Sequence, residues 1–215
     1  VVCRTDTYPK AGAKAFSILI VEDGMAGFER GRNLEKMGMK AQDTSELFFN
    51  DVKVPKDNLL GEAGMGFIYL MRELPQERLS IAVSAVAACE AVIQETVKYV
   101  KQRTAFGKAI ADFQHTQFKL AELEAEVTVM RVFIDRCAEL LVKKELSTVE
   151  ASKAKLLATE LQGKVTDQCV QMHGGYGYMW EYPVARAYAD ARVQRIYGGT
   201  SEVMKLIIGR DLLAD

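Results

Sequence analysis

The spacing of apolar positions changes once along the chain, near residue 64. Before that point they come in short bursts. Residues 15–22 read AFSILIVE and residues 45–55 read SELFFNDVKVP. Runs of this length, rich in Phe, Ile, Leu and Val and bounded by turn residues, predict strands. GMAGF at residues 24–28 supplies a turn after the first run, and Pro55 stops the second. Two such strands cannot bury both faces of a sheet, so they are expected to be the remainder of a larger β structure.

Beyond residue 64 the apolar spacing settles into steps of three and four, the period of a helix with one buried face. A long helix is predicted over residues 75–104, with Ala82, Ala85, Cys89, Val92, Thr96 and Val100 on one face. AFGK then ends it, Gly107 lying just past the last turn. The next helix has the most regular seam, through Leu120, Leu123, Val127, Met130, Ile134, Cys137 and Leu141. Alternating steps of three and four suit antiparallel bundle packing. A third helix over residues 149–172 carries Ala154, Leu157, Leu161 and Val165 and stops at HGGYGY. A short helix over 184–194 and a last one from Ser201 complete the pattern. The predicted fold is mainly α: an up-and-down four-helix bundle over residues 61–215, preceded by strands of a partial β domain over residues 1–60. No internal repeat interrupts it.

Composition narrows the function classes. The 215 residues are 49% hydrophobic and 27% charged, with 28 basic against 29 acidic side chains and a net charge of -1. No one-sided field is present to draw in nucleic acid or an anionic membrane. The purest apolar run, residues 81–89, falls far short of the roughly 20 residues that span a bilayer. Cys3, Cys89, Cys137 and Cys169 are widely spaced and have only His115 and His173 for company, so no metal motif forms. Three of the four sit in apolar helical patterns, which predicts buried free thiols and a reducing compartment. The opening VVCRTDTYPK has no initiating Met. It reads as part of a structured region with more chain expected upstream, where any targeting peptide would lie.

Three loops between the predicted helices carry the candidate chemistry, and a bundle would bring them to one end. The first, KQRTAFGKAIADFQ, has Arg103 in the last turn of the long helix, then Phe106 and Gly107, then Gln114 before the next helix. The helix dipole alone favours a cation at Arg103 but does not account for the aromatic, the glycine or Gln114. The second, QMHGGYGYMW, has three glycines among aromatics where a helix stop needs one. That pattern suits a flat ligand lying against the backbone. The third, RIYGGTSEV, has Gly198 and Gly199 ahead of Thr200, Ser201 and Glu202. Thr and Ser are good helix caps, and the glycines allow close approach of backbone to ligand. Neither glycine can move a proton, so an active site here needs its base from elsewhere.

The order and wording of these motifs closely resemble the acyl-CoA dehydrogenase family of flavoproteins. The matching pieces are GMAGFERGRNLEKMGMKAQDT, QRTAFGKAIADFQ, QMHGGYGYMWEYPVARAYADARV and IYGGTSEVMK, which together run through essentially the whole chain. The resemblance implies a middle β domain, to which residues 1–60 would belong, and a C-terminal helical domain, with an N-terminal helical domain and earlier strands upstream. It implies FAD as cofactor. Arg103, Phe106 and Gln114 match positions that contact FAD, commonly that of a neighbouring subunit, which implies a homotetramer built as a dimer of dimers. Gln171, His173, Gly174 and Gly175 match a second FAD segment. Thr200, Ser201 and Glu202 match the segment at the flavin diphosphate, an anion that a helix N-terminus suits.

Many members of the family read Y-E-G-T in the last motif, and that Glu is their base. Gly198 stands in its place here. In the long-chain and isovaleryl branches the base is a Glu on the long helix, and LPQERL at residues 74–79 resembles the long-chain branch. Glu77 is thus implied as the base, although a carboxylate in the first turn after Pro75 would also be favoured by the helix dipole alone. Arg78, Gly198 and Gly199 are implied along the substrate path, with the Gly198 N–H as a donor to the thioester oxygen. The implied reaction oxidises a medium- or long-chain fatty acyl-CoA and passes electrons to an electron-transferring flavoprotein, in a bacterial cytoplasm or a mitochondrial matrix. An isovaleryl or other branched-chain substrate, an oxidase, and a bundle that binds without catalysis stay open as alternatives.

Overall fold

The computed structural model describes residues 1–8 and 10–214. The chain divides into two compact units, one made of Val1–Lys36 and Lys40–Leu74, the other of Met37–Met39 and the chain from Pro75 onward.

In the first unit β1 (Val2–Arg4) pairs antiparallel with β2 (Phe16–Ile18), Val2 opposite Ile18. A second hairpin joins β3 (Phe28–Asn33) to β4 (Ser45–Phe49) across a bulge between Arg30 and Asn33. The strand expected over 15–22 is shorter than its apolar run and continues only as an isolated bridge from Leu19 to Leu59. The strand expected over 45–55 ends at Phe49. The GMAGF turn forms, with the Phe28 N–H donating to the Met25 carbonyl. β3 has no counterpart in the sequence pattern. FERGRN has one apolar residue and no alternation, and its pairing with β4 rather than its composition makes it a strand. Leu47, Phe48 and Phe49 of β4 are exposed among the described residues.

Among the described residues five α-helices follow: α1 (Gly66–Gln102), which begins in the first unit, α2 (Gln114–Val142), α3 (Thr148–His173), α4 (Pro183–Gln194) and α5 (Ser201–Leu212). A two-residue hairpin, β5 (Thr104–Ala105) with β6 (Lys108–Ala109), turns the chain between α1 and α2. α1 begins nine residues before the predicted start, and Pro75 lies inside it. A proline reads as a helix start because it lacks an N–H, but inside a long helix it removes one hydrogen bond and crowds one carbonyl. Here the helix continues through it.

The core forms where the helical period placed it. Ala82, Ala85, Cys89, Val92, Thr96 and Val100 of α1 are all buried, as are Leu123, Val127, Ile134 and Cys137 of α2. α1 is long and apolar enough by composition to cross a membrane, and 44% of its most apolar window is buried inside this chain. Cys89, Cys137 and Cys169 are buried free thiols, and burial, with Cys169 nearby, pushes the Cys89 thiol up to about 12.

α3 is the exception to the simple pattern. It packs against α2, α4 and α5. Being surrounded, it buries two stripes. One is apolar, through Ala154, Ala158, Leu161, Val165 and Cys169. The other is polar, through Ser152, Lys155, Thr159, Gln162 and Thr166. Thr159 and Thr166 satisfy their hydroxyls by donating to the carbonyls one turn back, Lys155 O at 2.9 Å and Gln162 O at 2.8 Å. Leu157, expected in the core, is 49% exposed. It falls outside both stripes, on the side shared with Val129 and Met130 of α2.

Candidate active site

The three loops do not meet at one end. The α1–α2 loop and the end of α3 share one cleft of about 660 Å³, lined by Tyr99, Arg103, His115, Gln171, His173, Gly174, Gly175 and Tyr176 among others. The third loop returns, by way of α4, to the other half of α3, where Lys155 bonds it. Lys155 and His173 are separated by eighteen residues of α3, about 27 Å of helix. The convergence expected from an up-and-down bundle fails because α4 carries the chain back along α3 before the third loop begins.

In the first cleft each glycine of HGGYGY has a distinct situation. Gly174 ends α3 with φ +59°. Gly177 lets the turn fold back on α3, since a Cβ there would sit 2.3 Å from the Val170 carbonyl oxygen. Gly175 faces open space within 4 Å, so nothing in the chain itself accounts for it. His173 is buried and stacks on Tyr99 with ring centroids 4.1 Å apart. Its Nδ1 lies 2.8 Å from the Cys169 carbonyl oxygen, an acceptor, so Nδ1 carries the proton. Burial holds this imidazole below the ordinary histidine range, which leaves Nε2 as a free acceptor. Arg103 lies just past the last residue of α1 with its guanidinium 5.3 Å from the Tyr176 ring centroid. Phe106, at φ +55°, is 96% exposed and meets Phe113 edge-on. Gln114 is exposed at the start of α2, and its neighbours His115 and Thr116 line the cleft instead.

At the other site Thr200 caps α5, its hydroxyl accepting from the Val203 N–H at 3.3 Å. Ser201 donates to Glu160 Oε1 at 2.6 Å, and Arg195 pairs with Glu160 Oε2 at 3.3 Å. A small cleft opens between these residues, Arg192 and Glu202. The Glu202 carboxyl is held below the usual range by its own backbone N–H and by the Thr200 hydroxyl.

Gly198 and Gly199 have φ of +64° and +104°, in the region that favours glycine. A Cβ built on Gly198 would stand 4.0 Å from Oε1 of Glu77 and 2.5 Å from Cδ1 of Ile81. The carboxylate of α1 therefore ends where a side chain at 198 would begin. Glu77 is exposed, and among the described residues its carboxylate has no hydrogen-bond or ion-pair partner. It lies about three turns into α1 rather than in the first turn. Dipole stabilisation fades beyond the first turn, so that explanation of Glu77 no longer applies.

Arg78, expected along the substrate path, is turned into the protein. It is 5% exposed, its Nε donating to the Gly198 carbonyl at 3.2 Å and its Nη1 reaching the Ser152 hydroxyl at 3.5 Å. Its side chain supports the glycine turn from within the protein.

Comparison with known proteins decides the family. The model for the acyl-CoA dehydrogenase C-terminal domain matches residues 64–213. The chain belongs to the acyl-CoA dehydrogenase family. It is 56% identical over 215 residues to the mitochondrial long-chain specific acyl-CoA dehydrogenase of Mus musculus, covering 100% of this chain and 50% of that protein. The crystal structure of acyl-CoA dehydrogenase from Geobacillus kaustophilus superimposes with a TM-score of 0.97 at 50% identity, covering 100% of this chain and 56% of that one. A structure reported for the electron transferring flavoprotein of Acidaminococcus fermentans aligns with a TM-score of 0.94 at 37% identity, covering 100% and 56%. The chain thus spans about half the length of the relatives it matches.

Within this acyl-CoA dehydrogenase domain, Lys155, Glu160 and Arg195 support the third loop and were missed in the sequence. A lysine on a helix reads as solvated, and only the packing of α3 on several sides shows otherwise. The one available signal was the polar stripe itself, whose i, i+3, i+7 spacing from Ser152 to Thr159 repeats that of the apolar one.

Proposed function

We propose that the full-length protein is an FAD-dependent acyl-CoA dehydrogenase that oxidises a medium- or long-chain fatty acyl-CoA to the trans-2-enoyl-CoA, with Glu77 as the base. The observation that carries this is the approach of Glu77 Oε1 to within 4.0 Å of the Cβ position at 198, the position from which many relatives extend their catalytic Glu. One carboxylate replaces the other at the same point in space, reached from a different element.

The residues present fit FAD. Gly175 leaves an open backbone cradle beside Arg103, which has no carboxylate partner among the described residues. The start of α5 has the helix dipole behind it and Arg192 beside it, which suits a diphosphate. Arg103, Gln171, His173, Gly174 and Gly175 would hold one cofactor segment, with Gln114 and Phe106 beside them, and Thr200, Ser201 and Glu202 another. Their separation along α3 accords with one chain serving two cofactors, its own and a neighbour's. When bound, FAD supplies the two-electron acceptor for the β-hydride.

The chain's own residues do the rest. The thioester carbonyl makes the α C–H acidic, and Glu77 accepts that proton. The Gly198 N–H, which donates to no protein acceptor among the described residues, is available to the carbonyl oxygen as negative charge develops there. Ile81 and the open edge of Gly198 leave the Glu77 carboxylate facing the same spot. Similarity to a long-chain specific relative supports the longer substrates, and an electron-transferring flavoprotein is the proposed acceptor. Mitochondrial and bacterial relatives leave either compartment compatible with this role.

A substrate series from butyryl- to palmitoyl-CoA, with isovaleryl-CoA alongside, tests the reading in the full-length protein. Anaerobic flavin bleaching should be fastest with the long straight chains. Fastest bleaching by isovaleryl-CoA, or none by any acyl-CoA, would overturn it. Rapid reoxidation by air instead of by the flavoprotein would make the enzyme an oxidase.

A further inference from the structure

The most deeply buried charged side chain has no part in the reaction itself. Lys155 is 0% exposed, and its Nζ donates to the Gly199 carbonyl at 2.7 Å. Arg78, also buried, takes the adjacent carbonyl of Gly198. Two buried cations thus hold two consecutive carbonyls of one glycine turn. Burying an ammonium is costly, and the nearby guanidinium adds repulsion, offset in part by Glu160 and Glu202. A methionine would fill the same space without that cost.

The turn explains the arrangement. Peptide units are planar and trans, so each C=O points away from the N–H on its far side. Fixing the carbonyls of Gly198 and Gly199 therefore fixes the planes of both following peptide units, and their N–H groups, on Gly199 and Thr200, point away from the buried cations. Without side chains and at positive φ, this pair would otherwise be the most freely rotating part of the loop.

We propose that Lys155 is a positioning residue: by gripping the Gly199 carbonyl from inside the bundle it anchors the Gly198–Gly199 turn against the protein, and so holds in place the backbone whose Gly198 N–H would receive a thioester oxygen. The role in catalysis rests on the acyl-CoA dehydrogenase function proposed for the full-length protein; the grip on the turn does not.

Lys155→Met in the full-length holoprotein separates the two. Backbone amide exchange is read first, without substrate. The Ser201 amide, bonded to the Arg195 carbonyl across this turn, is expected to exchange at least about tenfold faster, with the α3 amides unchanged. With acyl-CoA, the rate of flavin bleaching should fall about 10- to 100-fold while the half-saturating concentration moves little. The thioester carbonyl stretch of bound enoyl-CoA should shift back toward its value in free solution. Lys155→Gln, which keeps a donor on a shorter stem, should fall between the two. Unchanged turn exchange in both variants overturns the proposal, as does faster exchange throughout α3, which would make Lys155 a stability element only. Faster exchange confined to the turn, in a protein that oxidises no acyl-CoA, sustains the grip and overturns its catalytic part.

Discussion

At the scale of residues, the proposed exchange of a base between positions 77 and 198 is the central feature, and the geometry there sets limits on reversing it. A side chain at 198 would meet Ile81 Cδ1 at 2.5 Å and would adopt φ near +64°. Left-handed backbone costs a non-glycine residue about 1–2 kcal/mol, so Gly198→Ala is expected to lower the melting temperature by several degrees, checked by calorimetry. Returning a carboxylate through Gly198→Glu in a Glu77→Gln background should restore only a small part of the turnover. Adding Ile81→Ala, which clears the obstructing methyl, should raise that recovery. No gain from the third substitution would show that space at Ile81 is not what limits it. His173 sets a pH dependence of a different kind. Burial holds its folded pKa below the usual value, so as pH falls through about 6.5 the unfolded chain takes up the proton first. Stability therefore rises with pH across this window and is lost as pH falls from about 7 to about 5. Urea midpoints at those two pH values should converge in His173→Gln; an unchanged difference would assign the slope to other groups.

At the scale of elements, the amphipathic helices were legible and the transitions between them were not. The seams of α1 and α2 could be read because each helix buries a single apolar face. α3 buries a polar stripe as well, and no apolar period announces Lys155 or Gln162. β3 escaped notice because FERGRN becomes a strand only through its partner. Pro75 misled because proline is both a good first residue and a tolerated interior one. Its place in α1 carries a prediction. Pro75, two residues before Glu77, leaves the Met71 carbonyl without its helical donor. Pro75→Ala should stabilise the helix, by up to about 3 kcal/mol, while a changed path of α1 moves Glu77 and slows flavin bleaching. A variant both more stable and fully active would show that the interruption does nothing for the carboxylate. The motifs carrying the site were legible as motifs; which of them meet was not, since that depends on α4 returning the chain along α3.

At the scale of the whole molecule, the two clefts lie apart along α3, one beside Glu160 near its middle and one at its C-terminal end, and under the proposed function the Arg103 motif would reach a neighbour's cofactor. The full-length protein is accordingly expected to be a homotetramer, built as a dimer of dimers, and sedimentation should show it. A monomer that retains FAD tightly would contradict that assembly. Activity as a whole turns on whether the carboxylate of α1 does the work that position 198 cannot. The direct measurement is the anaerobic rate of flavin bleaching by a long-chain acyl-CoA in Glu77→Gln, a change that keeps size and hydrogen bonding but not the ability to accept a proton. Loss of a general base costs about 10² to 10⁴, and a sole base should lie at or beyond the upper end, with FAD content and enoyl-CoA binding unchanged. Bleaching at a near-normal rate in Glu77→Gln would contradict this assignment and place the base elsewhere.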